Sequence, residues 1–138
     1  MDADDISLPT RFEKQIKYME RHKNTAVLGT SFTVFGEEID IYPFDFSHNS
    51  KRAKAELFFN SSLGHPSVMI KKSVLNDNAL RYEDEYKGLE DFVLWWRIAK
   101  YGDIVSLEEP LLKYRKHKSQ ITSSRDLEFE QKIKKFLI

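Results

Sequence analysis

The sequence predicts an α/β fold with a mixed, partial sheet and flanking helices. Helical and strand patterns alternate along the 138 residues, the β-branched and aromatic run 26–35 reads as a strand, and the apolar segment 89–102 reads as a buried helix. Too few strands are visible for a complete doubly wound sheet. The length fits one hydrophobic core, so residues 1–138 are read as a single domain.

Taken in order, Pro9 suits the first turn of a helix that runs to about Arg21, with Phe12, Ile16 and Met19 as its apolar stripe. The strand from Ala26 to Phe35 is expected to turn at Gly36 and to pair with a second strand from Glu38 to Tyr42. Residues 43–50 read as loop. A helix over 51–60 places Ala53, Leu57 and Phe58 on one side, and Ser61 to Gly64 breaks it. His65-Pro66 then leads into a short strand over 67–70. Residues 71–75 supply one helical turn, which Asn76-Asp77-Asn78 ends.

An acidic loop, 82–88, feeds the central helix. There Phe92, Trp95, Trp96 and Ala99 recur at helical spacing, Leu94, Ile98 and Tyr101 widen the apolar surface, and Gly102 reads as the stop. Two short strands are expected on either side of Glu108-Glu109-Pro110. The chain closes with an amphipathic helix capped by Ser123 or Ser124 and carrying Leu127, Phe129, Ile133 and Phe136.

The 22 basic and 22 acidic residues cancel, so no global field draws the chain to nucleic acid. The absence of cysteine excludes disulfides and thiolate metal sites. Met1-Asp2-Ala3-Asp4-Asp5 lacks the features of a secretory signal, and no run approaches the roughly 20 apolar residues of a membrane span, so a cytoplasmic location is expected.

Glu90 and Asp91 open the central helix, where the macrodipole and capping favour carboxylates, so spacing alone leaves them open between capping and chemistry. Asp2, Asp4 and Asp5 are hard oxygen donors suited to Mg²⁺ or Mn²⁺, or else a solvated acidic start. His22 and His48 read as exposed, and His65 and His117 as hydrogen-bonded structural residues. Trp95 and Trp96 read as core in preference to a sugar-stacking platform. Arg97 reads as a partner for a nearby carboxylate. No phosphate-binding glycine loop, H-E-x-x-H pair or G-x-S-x-G elbow occurs.

Five pieces nevertheless follow one another in a specific order. They are Asp2-Ala3-Asp4-Asp5-Ile6 with Pro9 and Arg11-Phe12; Val27-Leu28-Gly29-Thr30; His65-Pro66-Ser67-Val68-Met69; Glu90-Asp91-Phe92-Val93-Leu94-Trp95-Trp96-Arg97; and Glu109-Pro110-Leu111-Leu112-x-Tyr114-Arg115-x-His117. Together they resemble the family 2 glycosyltransferases of the GT-A fold. The resemblance covers nearly the whole chain but matches only the second half of that family's catalytic domain. It implies that the N-terminal nucleotide-binding half is absent and that the chain is an acceptor-side fragment.

Carried over by motif, the resemblance makes Asp4 the metal ligand, with Asp2 near the ribose or metal and Asp5 in support. The ion would be Mg²⁺ or Mn²⁺. Arg115 and His117 would meet the donor phosphates, Asp91 would be the general base, and Glu90 an acceptor-site residue. The implied partners are a nucleotide-sugar donor and a glycan acceptor, with peripheral membrane association of the parent enzyme. The alternative is a non-catalytic remnant or interaction module.

A sheet edge uncovered by the missing half would favour a homodimer. Phe32, Val34, Phe58, Phe59, Val68 and Ile70 are expected near that surface, unless the C-terminal helix folds back over it.

Overall fold

The computed structural model describes residues 1–36, 39–117 and 126–138, the side chains of 39–42 and 126–130 excepted. Strand β2 (Thr25–Gly36) is the spine of the sheet. Strand β5 (Asp103–Arg115) runs parallel along one side of it. The other side is shared by β4 (Met69–Ile70), at Val27 and Leu28, and β3 (Ile39–Phe44), from Phe32 to Gly36, both antiparallel. Strand β1 (Ile6–Ser7) lies antiparallel on the far edge of β5. The sheet is therefore mixed, in the order β1-β5-β2-β3 with β4 also on β2.

A parallel pair needs a long crossover. Helices α2 (Ser50–Glu56), α3 (Lys72–Asp77) and α4 (Glu90–Ile98) supply it between β2 and β5.

Helix α4 is buried as its pattern predicts. Phe92, Val93, Leu94, Trp95 and Ile98 pack in one core with Ala26, Val27 and Ile104. Trp96 is half-buried, its ring meeting Phe58 and Phe136 edge-on. Helix α5 (Asp126–Leu137) folds back onto this core through Ile133 and through Phe136, which touches Tyr86 and Phe92. The expected caps Ser123 and Ser124, and the side chains of Leu127 and Phe129, lie outside the described residues.

Helix α1 (Arg11–Arg21) departs from expectation. Phe12 and Ile16, read as its apolar stripe, are 55% and 48% exposed, whereas Arg11 and Gln15 are buried. The surface beneath the helix explains the inversion, because it presents backbone carbonyls that need donors. Gln15 Nε2 donates to Leu28 O at 2.8 Å and to Ser67 O at 2.9 Å, and Arg11 Nη1 donates to Pro66 O at 3.2 Å. Leaving those carbonyls unpaired under an apolar stripe would cost more than exposing two side chains.

Strand β5 is continuous where two strands were expected. Leu107 pairs with Thr30 and Pro110 with Ser31, so Glu108 and Glu109 form a bulge that accommodates the proline. Strand β3 continues through Pro43 and Phe44, which were read as loop, and proline is tolerated on such an outer strand. Glu38, its expected start, lies outside the described residues. Strand β4 is shorter than expected because His65–Ser67 form a 3₁₀ turn, and β1 was not foreseen.

Helix α2 stops at Glu56, so Phe58 falls beyond it and is 55% exposed. Helix α3 runs on through Asn76 and Asp77 before Asn78 caps it. Helix α4 ends at Ile98, and Gly102 serves a different need: a Cβ there would lie 2.6 Å from Asn24 O and 2.8 Å from Ala26 Cβ, where the two chain segments cross.

Phe32 and Val34, expected at an uncovered surface, are buried in a second cluster with Leu112, Phe46 and Tyr114. Val68 and Ile70 are half-buried against the main core. Of the six residues assigned to that surface, Phe58 and Phe59 are strongly exposed. Among the described residues no helix is long and apolar enough to cross a membrane.

Candidate active site

The acidic N-terminal segment is folded into a turn and clasped to the end of β5. Asp5 N donates to Asp2 O at 3.2 Å, and Asp2 N returns a bond of 3.2 Å to Asp5 Oδ2. The second oxygen of Asp5 accepts from Arg115 N at 3.0 Å, which leaves Asp5 buried. Arg115 Nε donates to Asp4 O at 3.1 Å, while its guanidinium lies 4.4 Å from the centre of the Phe35 ring. His117 Nε2 donates to Asp4 Oδ2 at 2.7 Å.

Asp4 is thus brought to Arg115 and His117, both singled out by sequence and each more than a hundred positions away from it. The hydrogen bond from His117 holds the Asp4 carboxyl below its ordinary value, against the opposing effect of desolvation, and the charges of His117 and Arg115 add to it. Asp4 is therefore anionic at neutral pH.

Asp2 faces a cavity of about 1070 Å³. Its walls include Phe44, Phe46, His65 and, from the first turn of α4, Asp91. Asp91 Oδ1 accepts from Phe92 N at 2.8 Å, and no side chain caps α4 at Leu89. Glu90 lines a smaller adjoining cavity of about 380 Å³, and Asp91 and His65 belong to both. Asp2 of the N-terminal turn and the acids of α4 therefore border adjoining cavities, whereas Asp4 and Asp5 line neither. Burial of Phe92, Leu94 and Trp95 fixes the α4 end of both.

Among the described residues no group of three or more His, Asp or Glu side chains is gathered to hold a metal ion. Asp2 and Asp4 offer two carboxylates, the number that suits an octahedral cation whose remaining ligands are water and phosphate.

Arg97 pairs with Glu83, as expected of it, and Trp95 is wholly buried. His22 and His48 are exposed.

Several residues of the site carry no sequence signal. Phe44 and Phe46 were read as loop, yet with Phe32 and Tyr114 they form an aromatic floor, rings 5.0–5.4 Å apart. Gly64 is pressed onto that floor, since a Cβ would come within 2.6 Å of Phe32 and 2.7 Å of Phe46. His65 opened one of the five sequence pieces but was read as a hydrogen-bonded structural residue, and Tyr82 was read only as the start of the acidic loop. Their side chains meet beside Asp91, with His65 Nε2 3.0 Å from Tyr82 Oη.

No protein-family model matches the chain. Individual proteins do. An uncharacterised glycosyltransferase of Methanocaldococcus jannaschii is 37% identical over 83% of the chain, which corresponds to 40% of that protein. The O-antigen biosynthesis glycosyltransferase WbnJ of Escherichia coli is 32% identical over 90% of the chain and 49% of its own length. Its relatives are glycosyltransferases. The amylovoran biosynthesis glycosyltransferase AmsE of Erwinia amylovora is 30% identical over 91% of the chain and 47% of its own length. The chain spans less than half the length of these glycosyltransferases, and the α/β architecture with its mixed sheet accords with part of such a fold.

Proposed function

We propose that the chain is the acceptor-side part of an inverting, metal-dependent glycosyltransferase of the family 2 type and GT-A fold. The observation that carries the reading is the shared cavity of Asp2 and Asp91, with Asp4, Arg115 and His117 clasped behind it. Names of relatives that refer to O-antigen and amylovoran biosynthesis point to a polysaccharide or glycan acceptor and a nucleotide-sugar donor.

In this reading Asp91 takes the proton of the acceptor hydroxyl as its oxygen attacks the anomeric carbon. The bond from that carbon to the nucleoside diphosphate breaks, and the diphosphate leaves with the electron pair. Glu90 lines the acceptor side. Asp4 and Asp2 would hold Mg²⁺ or Mn²⁺, which supplies charge neutralisation for the leaving diphosphate. Arg115 and His117, both bonded to Asp4, would assist that neutralisation.

Donor binding energy positions the reacting atoms. The 138 residues alone are therefore expected to bind Mg²⁺ or Mn²⁺ weakly and to show no measurable transfer. A form that includes a nucleotide-binding part is expected to transfer sugar and to stop on chelation. Calorimetry with nucleotide-sugars and a chelator-controlled transfer assay check both. Tight donor binding by the 138 residues would contradict the first expectation, and the failure of every nucleotide-sugar with the longer form would favour a non-catalytic remnant.

Self-association belongs to the same reading. The outer strands and the exposed Phe58 and Phe59 support a homodimer of the isolated chain. Sedimentation is expected to show a mass above 16.3 kDa that rises with concentration. A single unchanging monomer would sink it, and would fit the inward folding of α5.

A further inference from the structure

The ridge between the two cavities is made by residues to which the mechanism above gives no task. His65 sits at the start of its 3₁₀ turn and lines both cavities, as Asp91 does. Tyr82 lines the smaller one together with Glu90 and Asp91. The two rings meet edge to face at 5.9 Å, and the His65 ring lies 6.0 Å from that of Trp95, the buried anchor of α4.

The ridge is held from below. Arg11 binds Pro66 O, Gln15 binds Ser67 O, and Ser67 Oγ contacts the backbone of both Thr30 and Gly64. A histidine braced in this way keeps its place relative to Asp91 without help from a ligand.

We propose that Tyr82 and His65 form the acceptor-recognition ridge of the site, binding two adjacent hydroxyls of a pyranose ring so that the reacting hydroxyl points to Asp91. The inference rests on the glycosyltransferase reading and names positioning residues within it. In the free site the imidazole nitrogen spends its one hydrogen bond on the phenol oxygen 3.0 Å away, and on binding that bond is exchanged for one from each group to a neighbouring ring hydroxyl. Burial, and then the nearby charge of Asp91, push the Tyr82 phenol pKa upward, so Tyr82 stays a neutral donor throughout the working pH range. Two fixed polar groups beside a base select sugar configuration, because an epimer that turns one hydroxyl away leaves its partner unpaired.

The test is an NMR titration of the 138-residue chain with methyl glycosides of glucose, galactose and mannose. At least one glycoside is expected to perturb His65, Tyr82 and Asp91 together, and the epimers to differ in affinity. Tyr82→Phe, which keeps the ring and removes the hydroxyl, is expected to weaken that binding about fivefold at unchanged melting temperature. His65→Gln is expected to retain more binding than His65→Ala.

Perturbation of Asp91 that Tyr82→Phe leaves unchanged would overturn the ridge and spare the glycosyltransferase reading. Absence of any response in the cavity to every glycoside would overturn the ridge, while transfer by the longer form decides the glycosyltransferase reading separately. Should Tyr82→Phe lower the melting temperature, the epimer ranking by the unmodified chain decides, and equal affinity for all epimers overturns the proposal.

Discussion

Replacing Asp91 with Asn, in a form that carries the nucleotide-binding part, is expected to lower turnover by about 10²–10⁴ while donor binding changes little. Asparagine keeps the shape of the side chain and can still accept the 2.8 Å bond from Phe92 N, so the first turn of α4 survives the change. What disappears is the basic oxygen at the cavity wall. A macrodipole or capping role would give a different result, a loss of stability with transfer intact, because a carboxylate near a helix N-terminus contributes only about 0.3–1 kcal/mol. Steady-state kinetics beside a thermal melt separate the two. Near-normal turnover in Asp91→Asn would move the base elsewhere, with Glu90 or Asp84 the next to examine.

The largest stability effect is expected at Trp95. The side chain is 0% exposed, packs in the main core, and ties the middle of α4 to the elements around it. Trp95→Ala is expected to cost about 3–5 kcal/mol, the range for emptying an aromatic site that cannot collapse. The indole nitrogen is buried without a partner, so its removal recovers some desolvation and places the change toward the lower end. Even that is a large share of the roughly 5–15 kcal/mol that holds a domain of this size. Urea unfolding followed by circular dichroism measures it. Ile138→Ala, at a fully exposed residue, is the control, expected to shift the midpoint little.

Both expectations start from α4, the element most legible in the sequence. Its apolar residues repeat over the whole segment, and a pattern that long leaves no other arrangement than burial. Strand β2 was legible for the same reason. The acids at the start of α4 could be found but not interpreted, because capping and chemistry place the same residue types there. The order of five short motifs supplied the interpretation, and the relatives support its coarse part, a glycosyltransferase. The roles proposed for Asp91, Glu90, Asp2, Asp4, Arg115 and His117 rest on the motifs, with Asp2 and Asp91 sharing a cavity and Asp4 bonded to Arg115 and His117.

Other features had no local signature. Helix α1 turns Arg11 and Gln15 inward because the backbone of the 64–68 turn and of β2 demands donors, and hydropathy along the helix carries no information about that demand. Glu108-Glu109-Pro110 reads as a break, yet the register of β2 carries β5 across it as a bulge. Phe44 and Phe46 belong to no period, and become a floor when β3 lies along β2 opposite Phe32.

By itself the sequence determined the α/β class and the buried helix with two acids at its mouth, since both follow from side-chain type and short-range spacing, while the candidate residues for chemistry came from the resemblance. The tertiary structure decided which of them meet. Asp4 reaches His117 across the chain, Asp5 locks the acidic turn by accepting a backbone N–H of β5, and His65 finds Tyr82 beside Asp91. Contacts of that kind depend on strand register and on buried backbone groups seeking partners, and those are properties of the assembled fold, not of any one segment.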